Sequence, residues 1–187
     1  MGFNPSLERH PEEAAAIGLM VAGYGELEFL FAVCGSLAVK NDYVILKAVH
    51  AVRSESARIE IADIICRSGY EQRGLLDKYT VALGALKWCK AVRNQYAHAQ
   101  WGDSAGLAHL RFSDPDEAFI GAVFKPVWRD IRLDLLQKQL AFFEYARECF
   151  LYLEHKVDDE MRVRGKSLDP LPWPERMQPP NKHSPPE

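Results

Sequence analysis

From Leu133 to Val163, apolar residues return at every third or fourth position: Leu136, Leu140, Phe143, Ala146, Phe150, Leu153 and Val157. That spacing predicts a helix of about eight turns with one continuous apolar stripe. Such a stripe has to be buried against other elements, so the rest of the chain must supply partners for it. The opposite face carries Lys138, Glu144, Arg147, Glu148, Glu154 and Lys156 and reads as an ordinary solvated face.

The partners are legible as further helices. Ala14–Val39 is the most apolar stretch and is long enough to span a bilayer, but Glu26 and Glu28 sit at its centre. Each mid-membrane carboxylate costs roughly 3 kcal/mol on insertion scales, so a long helix packed in a bundle is the expectation. Pro11-Glu12-Glu13 suits its start, because proline is tolerated in the first turn and acids complement the helix dipole. Tyr43–Arg53 follows, with Val44, Ile45, Ala48 and Val52 at helical spacing. Ser54 is placed to cap a helix over Glu55–Arg67, with Ile59, Ala62, Ile65 and Cys66 as its stripe and Ser68-Gly69 as its stop. Leu75 to about Gln100 forms another, on which Leu76, Tyr79, Leu83, Leu86, Lys90 and Arg93 make a stripe that begins apolar and ends basic. Trp101–Gly106 reads as a break. Leu107–Ser113 and Ala122–Ile131 look extended on either side of Asp114-Pro115-Asp116-Glu117, as a short β-hairpin or loop excursion. Leu168–Glu187 holds 7 of the 11 prolines, which blocks helix and sheet alike and predicts an extended, loosely ordered tail. Pro170-Leu171-Pro172-Trp173-Pro174 would alternatively be an aromatic-anchored segment that lies on the body or docks a partner. The expected fold is therefore mainly α: a bundle of four to five helices over residues 1–167, with an extended insertion at about 107–131, then a proline-rich tail at 168–187.

Composition narrows the function classes. With 48% hydrophobic and 26% charged residues, global disorder and low-complexity classes are excluded. The formal charge is −3, which argues against a basic coat over the whole surface. The charge is uneven, however. Lys78–Trp101 carries Lys78, Lys87, Lys90 and Arg93 and no acid, so this stretch is +4 and the remainder is −7. Cys34, Cys66, Cys89 and Cys149 lie far apart with no CxxC pair, which predicts reduced, buried thiols in a cytoplasmic protein, without a zinc ribbon or disulfide framework. Met1–Glu13 has no apolar core after a basic start, so no signal peptide is expected. Met1-Gly2-Phe3-Asn4-Pro5-Ser6 fits the loose myristoylation pattern, but no polybasic stretch follows to add a second anchor. Membrane partners are not expected.

The chemistry-bearing pattern is Arg93-Asn94-Gln95-Tyr96-Ala97-His98 at the end of the basic helix. R-N-x-x-x-H arises by accident in roughly one chain in a hundred of this length. Asn94 and His98 are i,i+4 neighbours on one face. Arg93 lies about 100° round from Asn94, with a side chain long enough to reach the same cleft. The trio suits phosphodiester cleavage in RNA. A histidine titrating near neutrality moves the proton, and a guanidinium forks onto the phosphate and stabilises its extra charge. Asn94 would orient the histidine or donate to a phosphate oxygen. Lys87, Lys90 and Arg93, spaced by three, form a ridge suited to flanking phosphates, and Trp88, Tyr96 and Trp101 are rings on which a base could stack. No carboxylate cluster is present to hold a metal, and no cofactor is called for. The competing reading is structural: cations near a helix C-terminus interact favourably with its dipole and free carbonyls, and Trp88 and Trp101 would be core or interface anchors. His10, His50, His109, His155 and His183 lack partners at recognisable spacing and read as structural or surface groups.

Arg93, Asn94 and His98 match, position for position, the R-N-x-x-x-H form of the motif of the HEPN superfamily (higher eukaryotes and prokaryotes nucleotide-binding domains), which this segment resembles. The motif covers six residues, and the helical pattern of roughly residues 12–165 extends the resemblance. It implies a helical fold and a metal-independent endoribonuclease whose composite site forms where two subunits meet, in toxin–antitoxin, phage-defence or RNA-processing systems. RNA, a second copy of the chain and an antitoxin or other protein are the partners it implies. A polar residue of the first helix commonly supports such a site, a part open here to Glu26 or Glu28. In one toxin branch the motif continues as H-x-Y, whereas position 100 is Gln100, so that mode of control is not implied. The alternative is a non-catalytic helical dimerisation module that binds RNA, a nucleotide or a protein partner.

Overall fold

The computed structural model describes residues 4–40, 44–104, 106, 108–114, 119–120, 123–161 and 171–184. Met1–Phe3, the Asn41-Asp42 break with Tyr43, Leu107, Pro115–Glu117, Ala122, Arg162-Val163, Leu168–Pro170 and the last three residues lie outside this set. The fold is mainly helical, with four long helices and a small three-stranded antiparallel sheet. In chain order the helices are α1 (Pro5–Arg9), α2 (Pro11–Ala38), α3 (Val44–Ala51), α4 (Glu55–Gln72), α5 (Leu76–Ala97) and α6 (Leu133–Met161). The strands, all between α5 and α6, are β1 (Gln100–Asp103), β2 (Leu110–Ser113), β3 (Phe119–Ile120), β4 (Val123–Phe124) and β5 (Trp128–Ile131).

Helix boundaries follow local chemistry. The Asn4 side chain caps α1 by accepting from the Leu7 amide, and Ser54 caps α4 by accepting from the Ala57 amide at 3.4 Å. α2 starts at Pro11, where the sequence places it. α4 corrects the expected stop at Ser68-Gly69, because the helix continues to Gln72 and turns only at Gly74, whose φ is +63°. Gly69 has a packing role instead: a Cβ there would lie 2.5 Å from the Ala38 carbonyl oxygen. The break expected at Trp101–Gly106 is also corrected. Trp101-Gly102-Asp103 is a strand, antiparallel to β2 with Trp101 opposite Phe112, and β2 pairs in turn with β5, Leu110 opposite Ile131. The expected hairpin is therefore two strands of a three-stranded sheet, and the third needs long-range pairing that a four-residue run does not announce.

The chain divides into two compact units. The first comprises Met1–Tyr24, Lys87–Glu144 and Met177–Glu187. Its core joins Tyr96, Trp101 and Phe112, whose ring centroids lie 5.7–6.1 Å apart, to the buried Leu110, Ile131, Leu136 and Phe143. The second comprises Gly25–Leu86 and Tyr145–Arg176. Here Phe31 meets Phe150 edge-on at 5.9 Å, and Tyr70 stacks on Tyr79 at 4.4 Å. The Tyr70 hydroxyl donates to the Cys34 carbonyl at 2.9 Å. The stripe expected on α6 is buried at Leu136, Phe143, Ala146, Phe150, Leu153 and Val157, each large member stabilising the fold by about 1.5–3 kcal/mol. α2 has the length and mean hydropathy of a membrane span, 1.6 over its most apolar window. It buries Met20, Tyr24, Leu27, Phe31 and Cys34 and leaves Leu19 and Phe29 exposed. All four cysteines are buried and free. Burial pushes their thiols up, Cys66 to about 12 and Cys149 to about 11, so they stay protonated at neutral pH.

Candidate functional site

α5 carries the motif in its last turn. It ends at Ala97, and His98 is the first residue beyond it, exposed, its amide donating to the Asn94 carbonyl at 3.2 Å. That bond keeps His98 over Asn94, as the i,i+4 spacing predicts. Arg93 turns the other way. Its guanidinium carbon lies 4.6 Å from the ring centroid of Tyr24, a buried residue of α2, and the side chain is half-buried there. Five residues of helix rotate the side-chain direction by about 140°, so Arg93 and His98 occupy one end of α5 but different sides of it. Their approach to one cleft needs either Arg93 to swing off Tyr24 or the matching group of a second copy.

The half-buried Asn94 has a buried Oδ1 with no hydrogen-bond partner among the described residues. A buried acceptor left unpaired costs about 1–3 kcal/mol, and a donor on a ligand would satisfy it. Lys87 is exposed and Lys90 half-buried on the same helix. Lys78 does not belong to the ridge. It donates to the Tyr152 hydroxyl at 2.6 Å and lies 4.4 Å from that ring and 5.7 Å from Trp173, all within the second unit.

Several expected site residues have other tasks. Tyr96 is buried, its hydroxyl donating to Gln139 Oε1 at 2.6 Å, and burial pushes that hydroxyl's pKa up. It is a core group, and its ring is not open to a stacking base. Trp101 is half-buried against Tyr96 and Phe112 and fixes the end of α5 to the sheet. Trp88 packs edge-on against Phe142 at 4.6 Å, which is the anchor reading. Glu26 and Glu28 belong to the second unit, where Arg147 donates to Glu26 at 2.8 Å and Arg58 pairs with Glu28 at 2.8 Å. Both carboxylates thus have structural arginine partners.

Two arrangements near the motif have no local sequence signal. Asp103 on β1 gathers Ser6, whose hydroxyl donates at 3.0 Å, Arg9, and the imidazole of His10 at 3.3 Å. The Ser6 proton is directed to the carboxylate and not to His10, so this is a tether for α1 and not a nucleophile with its base. His10, expected to be surface or structural, is structural. The second arrangement is the tail. The Lys182 carbonyl accepts from Gln95 at 2.9 Å, beside the motif, and the Asn181 carbonyl accepts from buried Gln139 at 2.7 Å. Among the described residues no group of three His, Cys, Asp or Glu side chains is placed to hold a metal ion. Comparison with known proteins finds no matching family model, no matching curated protein and no matching solved structure.

Proposed function

We propose that this protein is a metal-independent endoribonuclease of HEPN type, acting on RNA through a site composed by two copies of the chain. The observation that carries the reading is the end of α5. An exposed histidine, an asparagine with an unsatisfied buried acceptor and the arginine directly before that asparagine follow an exposed lysine, in a stretch without acids. In the reaction the 2′-hydroxyl attacks the adjacent phosphorus and the bond to the 5′-oxygen breaks. His98 moves the proton, Arg93 stabilises charge on the phosphate, Asn94 positions them, and Lys87 and Lys90 bind flanking phosphates. The products carry a 2′,3′-cyclic phosphate and a 5′-hydroxyl. A role in toxin–antitoxin or phage-defence systems, with a protein antitoxin, belongs to the same proposal through the motif resemblance, as does a cytoplasmic location.

The test is cleavage of mixed RNA in EDTA by the purified full chain. His98→Ala is expected to slow cleavage by about 10²–10⁴-fold and Arg93→Ala by about 10²–10³-fold. Equal cleavage by the wild type and both variants removes the pair from the mechanism. The stacking of Arg93 on Tyr24 favours a second reading, in which the chain is a non-catalytic module and Arg93 orders the helix end. RNA binding without turnover, retained in His98→Ala, selects that reading.

A further inference from the structure

On α5 the residues Lys87, Ala91, Asn94 and His98 form an outward row, whose steps of four, three and four residues keep it within an arc of about 60°. Lys87 and His98 are exposed, and Ala91 and Asn94 are half-buried. One flank of the row belongs to Arg93, turned onto Tyr24 of α2. The other flank belongs to the end of the tail. Gln95 lies about 60° round from His98 on the side away from Arg93, and its amide donates to the Lys182 carbonyl at 2.9 Å. All of these residues lie in the first unit.

The tail is seated there chiefly through its backbone. Buried Gln139 of α6 accepts from the Tyr96 hydroxyl at 2.6 Å and donates to the Asn181 carbonyl at 2.7 Å. On β5, Arg129 Nη1 lies 2.9–3.0 Å from the ring nitrogens of His183. Three elements thus hold three consecutive tail residues, and two of the three contacts are to carbonyls that any residue would supply. The Lys182 side chain takes no part in the seating. It is exposed, and its ammonium has no hydrogen-bond or ion-pair partner among the described residues. Met177–Ser184 carries no acid to neutralise it.

We propose that the docked tail is the second wall of the RNA site, and that Lys182 binds a phosphate beside the scissile bond, on the flank opposite Arg93. The inference rests on reading this end of α5 as an RNA site. Gln95 and His98 are i,i+3 neighbours, about 5–6 Å apart at Cβ, a distance that the four-carbon stem of a lysine covers. A single strand lying along the row then meets cations on both sides, Lys90 and Arg93 on one and Lys182 on the other. Gln95 and Gln139 are positioning residues, because they act on RNA through the tail they hold. The tail borders the row and does not close it, since its contact is with Gln95 and His98 stays exposed.

The experiment follows binding of a 2′-O-methyl RNA of mixed sequence, which lacks the attacking hydroxyl, to the full chain by fluorescence anisotropy over a range of salt. Lys182→Ala keeps the seating carbonyls in place. It is expected to weaken binding about two- to fivefold and to lower the slope of log affinity against log salt by about 0.7, one phosphate contact of a single strand. Lys138→Ala removes the same charge from an exposed position on α6, beside Asp134, and is expected to leave the slope unchanged. Gln95→Leu frees the Lys182 carbonyl and is expected to cancel most of the Lys182→Ala effect in the double variant. Binding and slope unchanged in Lys182→Ala, equal losses in Lys182→Ala and Lys138→Ala, or tighter binding once residues 182–187 are removed would each overturn the inference while leaving Arg93 and His98 their roles. A wild type that binds no RNA overturns both readings. Binding that depends on Lys182 without any cleavage of ordinary RNA supports the inference and removes only the catalysis.

Discussion

Asp103 shows how much one carboxylate can organise. It ties Ser6, Arg9 and His10 to the first strand of the sheet, nearly a hundred residues along the chain from α1. The hydrogen bond from Arg9 holds its pKa below the ordinary aspartate value of 3.8. A depressed pKa contributes stability that is complete above the unfolded-state value and is lost as the pH falls through the lower folded value. Acid unfolding followed by circular dichroism is therefore expected to show a limb below about pH 4 that Asp103→Asn flattens. An unchanged acid limb in that variant removes the tether from the stability account. The sequence offered no sign of this cluster, since Ser6 and His10 have no spacing relation to Asp103 and meet it only in the folded chain. The motif residues divide similarly. That Asn94 and His98 share a face follows from i,i+4 spacing, whereas the turn of Arg93 onto Tyr24 depends on which residue of α2 lies beside it.

At the scale of elements, helix positions were legible and helix contacts were not. Ser54 caps α4 as its side-chain chemistry dictates, and the period of α6 is realised from Leu136 to Val157. Gly69 carries a different signal. By itself it resembles a stop, yet it lies inside α4 because only a hydrogen there admits the Ala38 carbonyl. Gly69→Ala is expected to destabilise by about 1–3 kcal/mol, since overpacking against backbone outweighs the gain of under about 1 kcal/mol in helix propensity. Gly84→Ala, in α5 with nothing within 4 Å of the added carbon, is expected to stabilise by roughly 0.5–1 kcal/mol. Thermal midpoints compare the two, at about 2–4 °C per kcal/mol for a chain of this length. A Gly69→Ala midpoint at or above the wild type would show that α4 is not pinned to α2 at that carbonyl.

For the whole molecule, the tail changes most between sequence and structure. Its proline content predicts extended backbone, and extended it is, but docked. In the second unit Trp173 meets Tyr152 edge-on at 5.1 Å, under the Lys78 ammonium. In the first, Asn181 and Lys182 supply carbonyl acceptors for Gln139 and Gln95. Removing residues 168–187 is expected to destabilise by about 2 kcal/mol or more, because buried Gln139 loses an acceptor and Tyr152 its aromatic cover. Urea denaturation measures it, and an unshifted midpoint would make the tail an accessory to the fold. The uneven charge belongs to this scale too. The basic stretch of α5 is real, yet Lys78 is committed to Tyr152 and Trp173, and of its other lysines Lys87 is exposed and Lys90 half-buried.

The sequence by itself determined the helical class, the positions of the long helices, the cap at Ser54, the extended character of the tail and the placement of Arg93, Asn94 and His98 at one helix end. These are consequences of periodicity, side-chain chemistry and proline content within one or two turns of chain. Only the tertiary structure decided that Trp101–Asp103 is a strand, that Tyr96 is a core residue, that Glu26 and Glu28 belong to Arg147 and Arg58, and that Phe29 and the isoleucines of α4 stand outside. Each of these depends on which distant residue arrives alongside. A pattern of period two over four residues, or a single polar side chain on an apolar helix, carries no information about that.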